Sequence, residues 1–74
     1  MTKVTLKAAR INAGLNQHQA ASLLKISRAT LVKWEQGKTF PDAPAIDRIC
    51  SLYGLHYDNI SFLPNDSLIA NNIL

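Results

Sequence analysis

The sequence predicts an all-α domain of five short helices. Apolar residues recur at helical spacing, Thr5, Asn16, Ser27 and Asp42 stand as capping residues ahead of the periodic stretches, and Gly14, Gly37 and Gly54 follow three of them. A residue whose short side chain accepts a backbone N–H opens a helix, and one that tolerates left-handed backbone closes it. At 74 residues and 47% hydrophobic, the chain has room for one domain with a small core, whose stability depends on good capping or on dimerisation.

The first helix is predicted from Thr5, with Leu6, Ala9, Arg10 and Ala13 along it, Gly14 closing it and Leu15 packing back over its end. The second starts at Asn16, runs through Ala20, Ala21 and Leu24, and ends near Leu24. Ser27 restarts the chain, and Leu31 and Trp34 repeat at i and i+3 before Gly37. Residues 16–37 therefore read as two short helices joined by a turn of about three or four residues, the spacing of a helix-turn-helix. Ala21 leaves room for the two helices to approach, and Ile26 plugs the turn. Asp42 caps a fourth helix with Pro44 in its first turn and a stripe of Ile46, Ile49, Cys50 and Tyr53, stopped by Gly54. Leu55 then enters the core. A fifth helix of a turn or two is expected from Asp58 through Ile60, Phe62 and Leu63, ending at Pro64, and no strand is expected.

A helix-turn-helix makes DNA the first ligand to weigh. If Leu31 and Trp34 face the core, then Arg28, Ala29, Val32, Lys33 and Gln36 face outward on the same helix. Arg and Lys donate to guanine O6 and N7, Gln36 reaches a base or a phosphate, and Val32 suits a thymine methyl. The same face also reads as an ordinary solvated surface with one exposed valine. The charge distribution favours the first of these. Residues 1–38 carry seven basic side chains (Lys3, Lys7, Arg10, Lys25, Arg28, Lys33, Lys38) against Glu35, whereas residues 39–74 carry Arg48 against Asp42, Asp47, Asp58 and Asp66. The net +3 is thus +6 in the first part and −3 in the second, so a polyanion is attracted to the N-terminal half.

Other classes find little support. No apolar run reaches the roughly eighteen residues of a membrane span and no export leader is recognisable, so a cytoplasmic protein without membrane attachment is expected. The single cysteine, Cys50, makes neither an intrachain disulfide nor a cysteine-built zinc site, and its place in the fourth helix fits a small apolar role. His18 and His56 have no Cys, Asp and Ser constellation at catalytic spacing, and His18 reads as a solvated residue. No enzyme, cofactor or metal is expected.

The motif Leu6-Lys-Ala-Ala-Arg10, with Gly14-Leu15-Asn16-Gln17, Ala21, Leu24, Ile26-Ser27-Arg28, Leu31, Trp34-Glu35, Gly37-Lys38, Pro41 and Gly54, resembles the Cro and repressor (XRE-type) helix-turn-helix family of phages and bacteria, over roughly residues 5–63. The resemblance implies a five-helix, lambda-repressor-like DNA-binding domain over residues 1–64. It implies that Gln17 opens the second helix against a phosphate, that Asn16, Gln36 and Lys38 also touch phosphate, and that Ser27, Arg28, Ala29 and Lys33 contact base edges. It also implies an Arg10–Glu35 ion pair between the first and third helices, which makes Arg10 structural. Two positions depart from the family pattern. Lys25 stands where a glycine is usual, so either a side-chain-bearing residue takes left-handed backbone or the turn differs. Ala29 replaces a polar reader, which shifts base reading toward Arg28, Lys33 and Thr30.

The function expected from all this is a sequence-specific DNA-binding transcriptional regulator: a Cro-like repressor of a phage or mobile element, acting on double-stranded DNA at a two-fold symmetric operator as a homodimer, formed in solution or only on the DNA. The alternative is an antirepressor or antitoxin-like interaction protein with DNA binding secondary. Residues 65–74 bear on it, because Leu68, Ile69, Ile73 and Leu74 are more apolar surface than a solvated tail favours. That tail reads equally as a sixth short helix, a dimerisation or partner-binding arm, or a disordered end.

Overall fold

A computed structural model describes residues 3–62. Four helices surround one core: α1 (Leu6–Asn12), α2 (Gln17–Leu24), α3 (Arg28–Glu35) and α4 (Ala43–Tyr53). Each opens on its expected cap. Thr5 accepts from the Ala8 N–H, Asn16 from Gln19, Ser27 from Thr30 and Asp42 from Ala45. At Asn16 the cap is reciprocal, since the Gln19 side chain accepts the Asn16 N–H in return. Replacing such a cap by alanine costs about 1 kcal/mol.

The helix ends share one geometry. The Leu15, Ile26, Lys38 and Leu55 N–H groups each reach back five residues, to the carbonyls of Arg10, Ala21, Lys33 and Cys50. That closure requires left-handed backbone at the preceding residue, which is Gly14, Lys25, Gly37 and Gly54 in turn. Lys25 takes it with φ 62° and ψ 41°, the one non-glycine residue with positive φ among those described. The open choice at the turn is therefore resolved in favour of a strained lysine. The strain costs roughly 1 kcal/mol and leaves the helix-turn-helix geometry intact.

The core lies where α1, α2, α3 and α4 converge. Leu6, Leu24, Leu31 and Ile49 are fully buried, and Ala20, Ala21, Trp34, Ala45 and Ile60 complete the cluster. Ala20 and Ala21 are nearly inaccessible, as a close crossing of α2 with α3 and α4 requires. Leu15, Ile26, Cys50, Tyr53 and Leu55 pack against this cluster from its edge. Each fully buried leucine or isoleucine contributes roughly 1.5–3 kcal/mol by removal from water.

The expectation of five helices without a strand is corrected at the C-terminal end. Tyr57–Asn59 is a single 3-10 turn, and the chain then extends as β2 (Ile60–Ser61), which pairs in parallel with β1 (Val4–Thr5). Val4 lies opposite Ile60 and Thr5 opposite Ser61. Val4, Thr5 and Ile60 are β-branched and favour extended backbone, and strand geometry buries Ile60 to 2% exposure beside α1. Tyr57 and Phe62 then flank β2 with their rings 6.0 Å apart. Leu63, Pro64 and the apolar tail of residues 65–74, with Leu68, Ile69, Ile73 and Leu74, lie outside the described residues. No described helix is long and apolar enough to cross a membrane.

Candidate nucleic-acid interface

With Leu31 at 0% and Trp34 at 8% exposure, the inward face of α3 is fixed. Arg28, Ala29, Lys33 and Gln36 are exposed on the other side, and Thr30 and Val32 are half-buried at its margins. The expected reading residues therefore come together on one helix. Two of them are partly engaged already. The Ser27 hydroxyl accepts the Thr30 N–H at 3.1 Å and donates to Thr30 Oγ1 at 2.9 Å, so these two fix the start of α3 before offering anything to a base. Thr30 keeps its own hydroxyl proton to donate. Arg28 and Lys33 have no partner among the described residues, which places the strongest hydrogen-bonding capacity of the face on them.

Beneath that face lies an ion pair. Arg10 Nε donates to Glu35 Oε2 at 2.7 Å and Nη2 to Glu35 Oε1 at 3.3 Å, with the two side chains 9% and 5% exposed. Arg10 Nη1 donates to the Leu15 carbonyl at 2.9 Å, so the guanidinium ties the end of α1, the entry to α2 and the end of α3 together. Its bidentate geometry is the form that best offsets the cost of burying both charges. Arg10 is thus unavailable to a ligand.

Gln17 joins this network, a connection the sequence reading did not contain. Its Nε2 donates to Glu35 Oε1 at 3.3 Å, which orients the amide from within and leaves one amide proton and the carbonyl oxygen free. Asn16, engaged as a cap through its oxygen, keeps its amide protons exposed at the same helix end. No acidic side chain occupies the first turn of α2 or α3. Helix N-termini of this kind favour a phosphate, because their first N–H groups lack intrahelical acceptors. At the far end of α3, Gln36 and Lys38 are exposed, and Gln17, Val32 and Gln36 share the wall of one open groove.

Pairing Arg10 with Glu35 leaves Lys3, Lys7, Lys25, Arg28, Lys33 and Lys38 as the basic residues of the N-terminal half. All six are exposed, and none has an ion-pair partner among the described residues. Their charge is free to act on a polyanion. In contrast, Arg48 on α4 donates to the Leu24 carbonyl at 3.3 Å and serves packing. Cys50 sits half-buried in α4, its thiol pushed up by burial and then by Asp47. That suits packing and discourages thiolate chemistry.

None of the curated proteins matches this chain. The family model described as a helix-turn-helix domain matches residues 4–61, from the first paired strand through the second, and so covers every element that shapes this face. The chain belongs to the helix-turn-helix domain family, and its fold implies DNA binding.

Proposed function

We propose that this protein is a sequence-specific DNA-binding transcriptional regulator, a small Cro-like repressor of a phage or mobile element that binds a two-fold symmetric operator as a homodimer and represses by occupying promoter DNA. The observation that carries this reading is the outward face of α3, where Arg28 and Lys33 stand exposed with no partner among the described residues, next to a group of side chains suited to phosphate. Asn16 and Gln17 at the start of α2 and Gln36 and Lys38 just after α3 make up that group, because Gln17 bonds Glu35 and shares a groove with Gln36. Phosphate contacts there set the register, and Arg28, Lys33, Val32, Ala29, Ser27 and Thr30 meet base edges along the rest of the face. The protein acts by binding rather than catalysis, in the cytoplasm where its operator lies.

Titration of a fluorescently labelled mixed-sequence duplex with the whole chain tests this at low salt. Binding that weakens steeply as salt rises is expected, with a Kd on the order of 10⁻⁶ to 10⁻⁴ M at physiological salt for DNA lacking the operator. A folded protein that leaves the duplex free at low salt would overturn the reading.

A further inference from the structure

An aromatic pair stands at the C-terminal edge of the domain. Tyr57, in the 3-10 turn, is 58% exposed, and its ring lies 6.0 Å from that of Phe62 with the planes tilted by 31°. Phe62 is half-buried and packs against the core cluster, so the pair is anchored from below. The other large hydrophobics exposed to this degree among the described residues, Ile11, Leu23 and Phe40, stand one each on α1, α2 and the loop before α4. We infer that the Tyr57 and Phe62 edge is a self-association surface closed by a second copy of this chain, with apolar side chains of residues 65–74 completing the contact. The inference rests on the proposed binding to a two-fold operator and names the contact that holds the two copies together.

Area selects the occupant. The chain continues from Phe62 at this edge through residues 63–74, where Leu68, Ile69, Ile73 and Leu74 accompany a single charged side chain, Asp66. Two rings, one of them already half-buried, are too little surface to cover four large aliphatic side chains of the same chain. A second copy brings its own rings and its own four side chains to the same place. Six large apolar side chains at roughly 100 Å² each give roughly 600 Å² per copy, the half-share of a small specific interface. Because each copy presents the same patch, the contact is reciprocal, as a two-fold axis demands. None of these residues belongs to α3, so self-association leaves Arg28 and Lys33 open to DNA. Charge separates the two kinds of binding. Asp58 beside Tyr57 and Asp66 in the following segment give the two copies charges of like sign, so added salt screens a repulsion here, whereas it weakens the attraction to a polyanion.

Sedimentation equilibrium of the whole chain at low and high salt tests this, beside two full-length variants, Tyr57→Ser and the double variant Ile69→Asp, Ile73→Asp. Fluorescence of the buried Trp34 confirms that each is folded. The wild type should sediment with twice the mass of one chain and hold together at least as well at high salt. Each variant should dissociate at least about tenfold more readily, as truncation at the centre of an interface does. A wild type that stays monomeric, a dimer that comes apart as salt rises, or a folded variant that dimerises as tightly as the wild type would overturn the surface. Binding of the labelled duplex by that same protein would leave the DNA reading standing. A dimer lost in both variants but unable to bind the duplex at low salt would uphold the surface and overturn the DNA reading instead.

Discussion

Removing the Glu35 carboxylate is the sharpest perturbation of the scaffold beneath the reading face. In Glu35→Ala, Arg10 keeps only its Nη1 bond to the Leu15 carbonyl, while Nε and Nη2 lose their acceptors in a site where the guanidinium is 9% exposed. Truncating one partner of such a shielded pair costs about 3–5 kcal/mol, because the remaining charge stays buried without compensation. For a domain of this size the total stability is on the order of 4–11 kcal/mol, so the loss is a large share of it. The melting temperature should fall by at least about 12 °C. Trp34 makes the assay direct. It is the single tryptophan, 8% exposed in the core, so its fluorescence in a urea titration reports global unfolding. The midpoint should drop with little change in slope. Replacing both partners by apolar residues, Arg10→Met with Glu35→Leu, should recover most of the loss because no charge is left stranded. A Glu35→Ala protein within about 1 kcal/mol of wild type, where surface pairs fall, would refute a buried and compensated pair.

Other outcomes follow from particular contacts. Lys25→Gly should raise stability by roughly 0.5–1 kcal/mol, as glycine takes the left-handed turn without steric cost, and calorimetry of Lys25→Gly beside Lys25→Ala separates this from loss of the side chain. Ile60→Ala should cost about 2–5 kcal/mol by chemical denaturation, since Ile60 is 2% exposed where β2 meets β1; a fully solvated end would lose nothing. The Tyr53 hydroxyl is buried without a hydrogen-bond partner among the described residues, so Tyr53→Phe should leave stability at neutral pH unchanged or up to about 1 kcal/mol higher. Burial, then the charge of Glu35, opposed by Arg10, pushes that hydroxyl up to about 12 from an ordinary 10.0. Above pH 10 the unfolded chain releases this proton first, so stability falls as pH rises toward 12. Tyr53→Phe should flatten that part of an alkaline unfolding series. Gln17→Ala should weaken binding to all duplexes alike, as loss of a phosphate contact does, and a loss confined to one operator base would contradict that role.

Local chemistry was legible in the sequence. Thr5, Asn16, Ser27 and Asp42 announce their helices because a cap involves residues three apart, and the stripe of Leu31 and Trp34 fixes which side of α3 turns outward. The strand pair was not legible. Each partner is two residues long, and Val4 meets Ile60 across most of the described chain, so no short window contains the pairing. The helical spacing of Ile60 with Leu63 suggested a fifth helix instead. The β-branched residues at Val4, Thr5 and Ile60 were the available signal for extended backbone, one that gains meaning only once both ends of the chain are brought together. Lys25 posed a choice that only backbone geometry resolves. Within the site, the grouping of Arg28, Ala29, Val32 and Lys33 followed from periodicity, whereas the bond from Gln17 to Glu35 and the mutual engagement of Ser27 and Thr30 depend on side-chain orientation.

Selection of bound sequences from a random duplex pool at moderate salt, with wild type beside an Arg28→Ala, Lys33→Ala double variant, tests the central claim most directly. Enrichment of an inverted repeat with half-sites about one helical turn apart, lost in the folded double variant, is the predicted result. A folded wild type that enriches no sequence, or a double variant that enriches the same repeat equally well, would contradict the assignment of base reading to this face of α3.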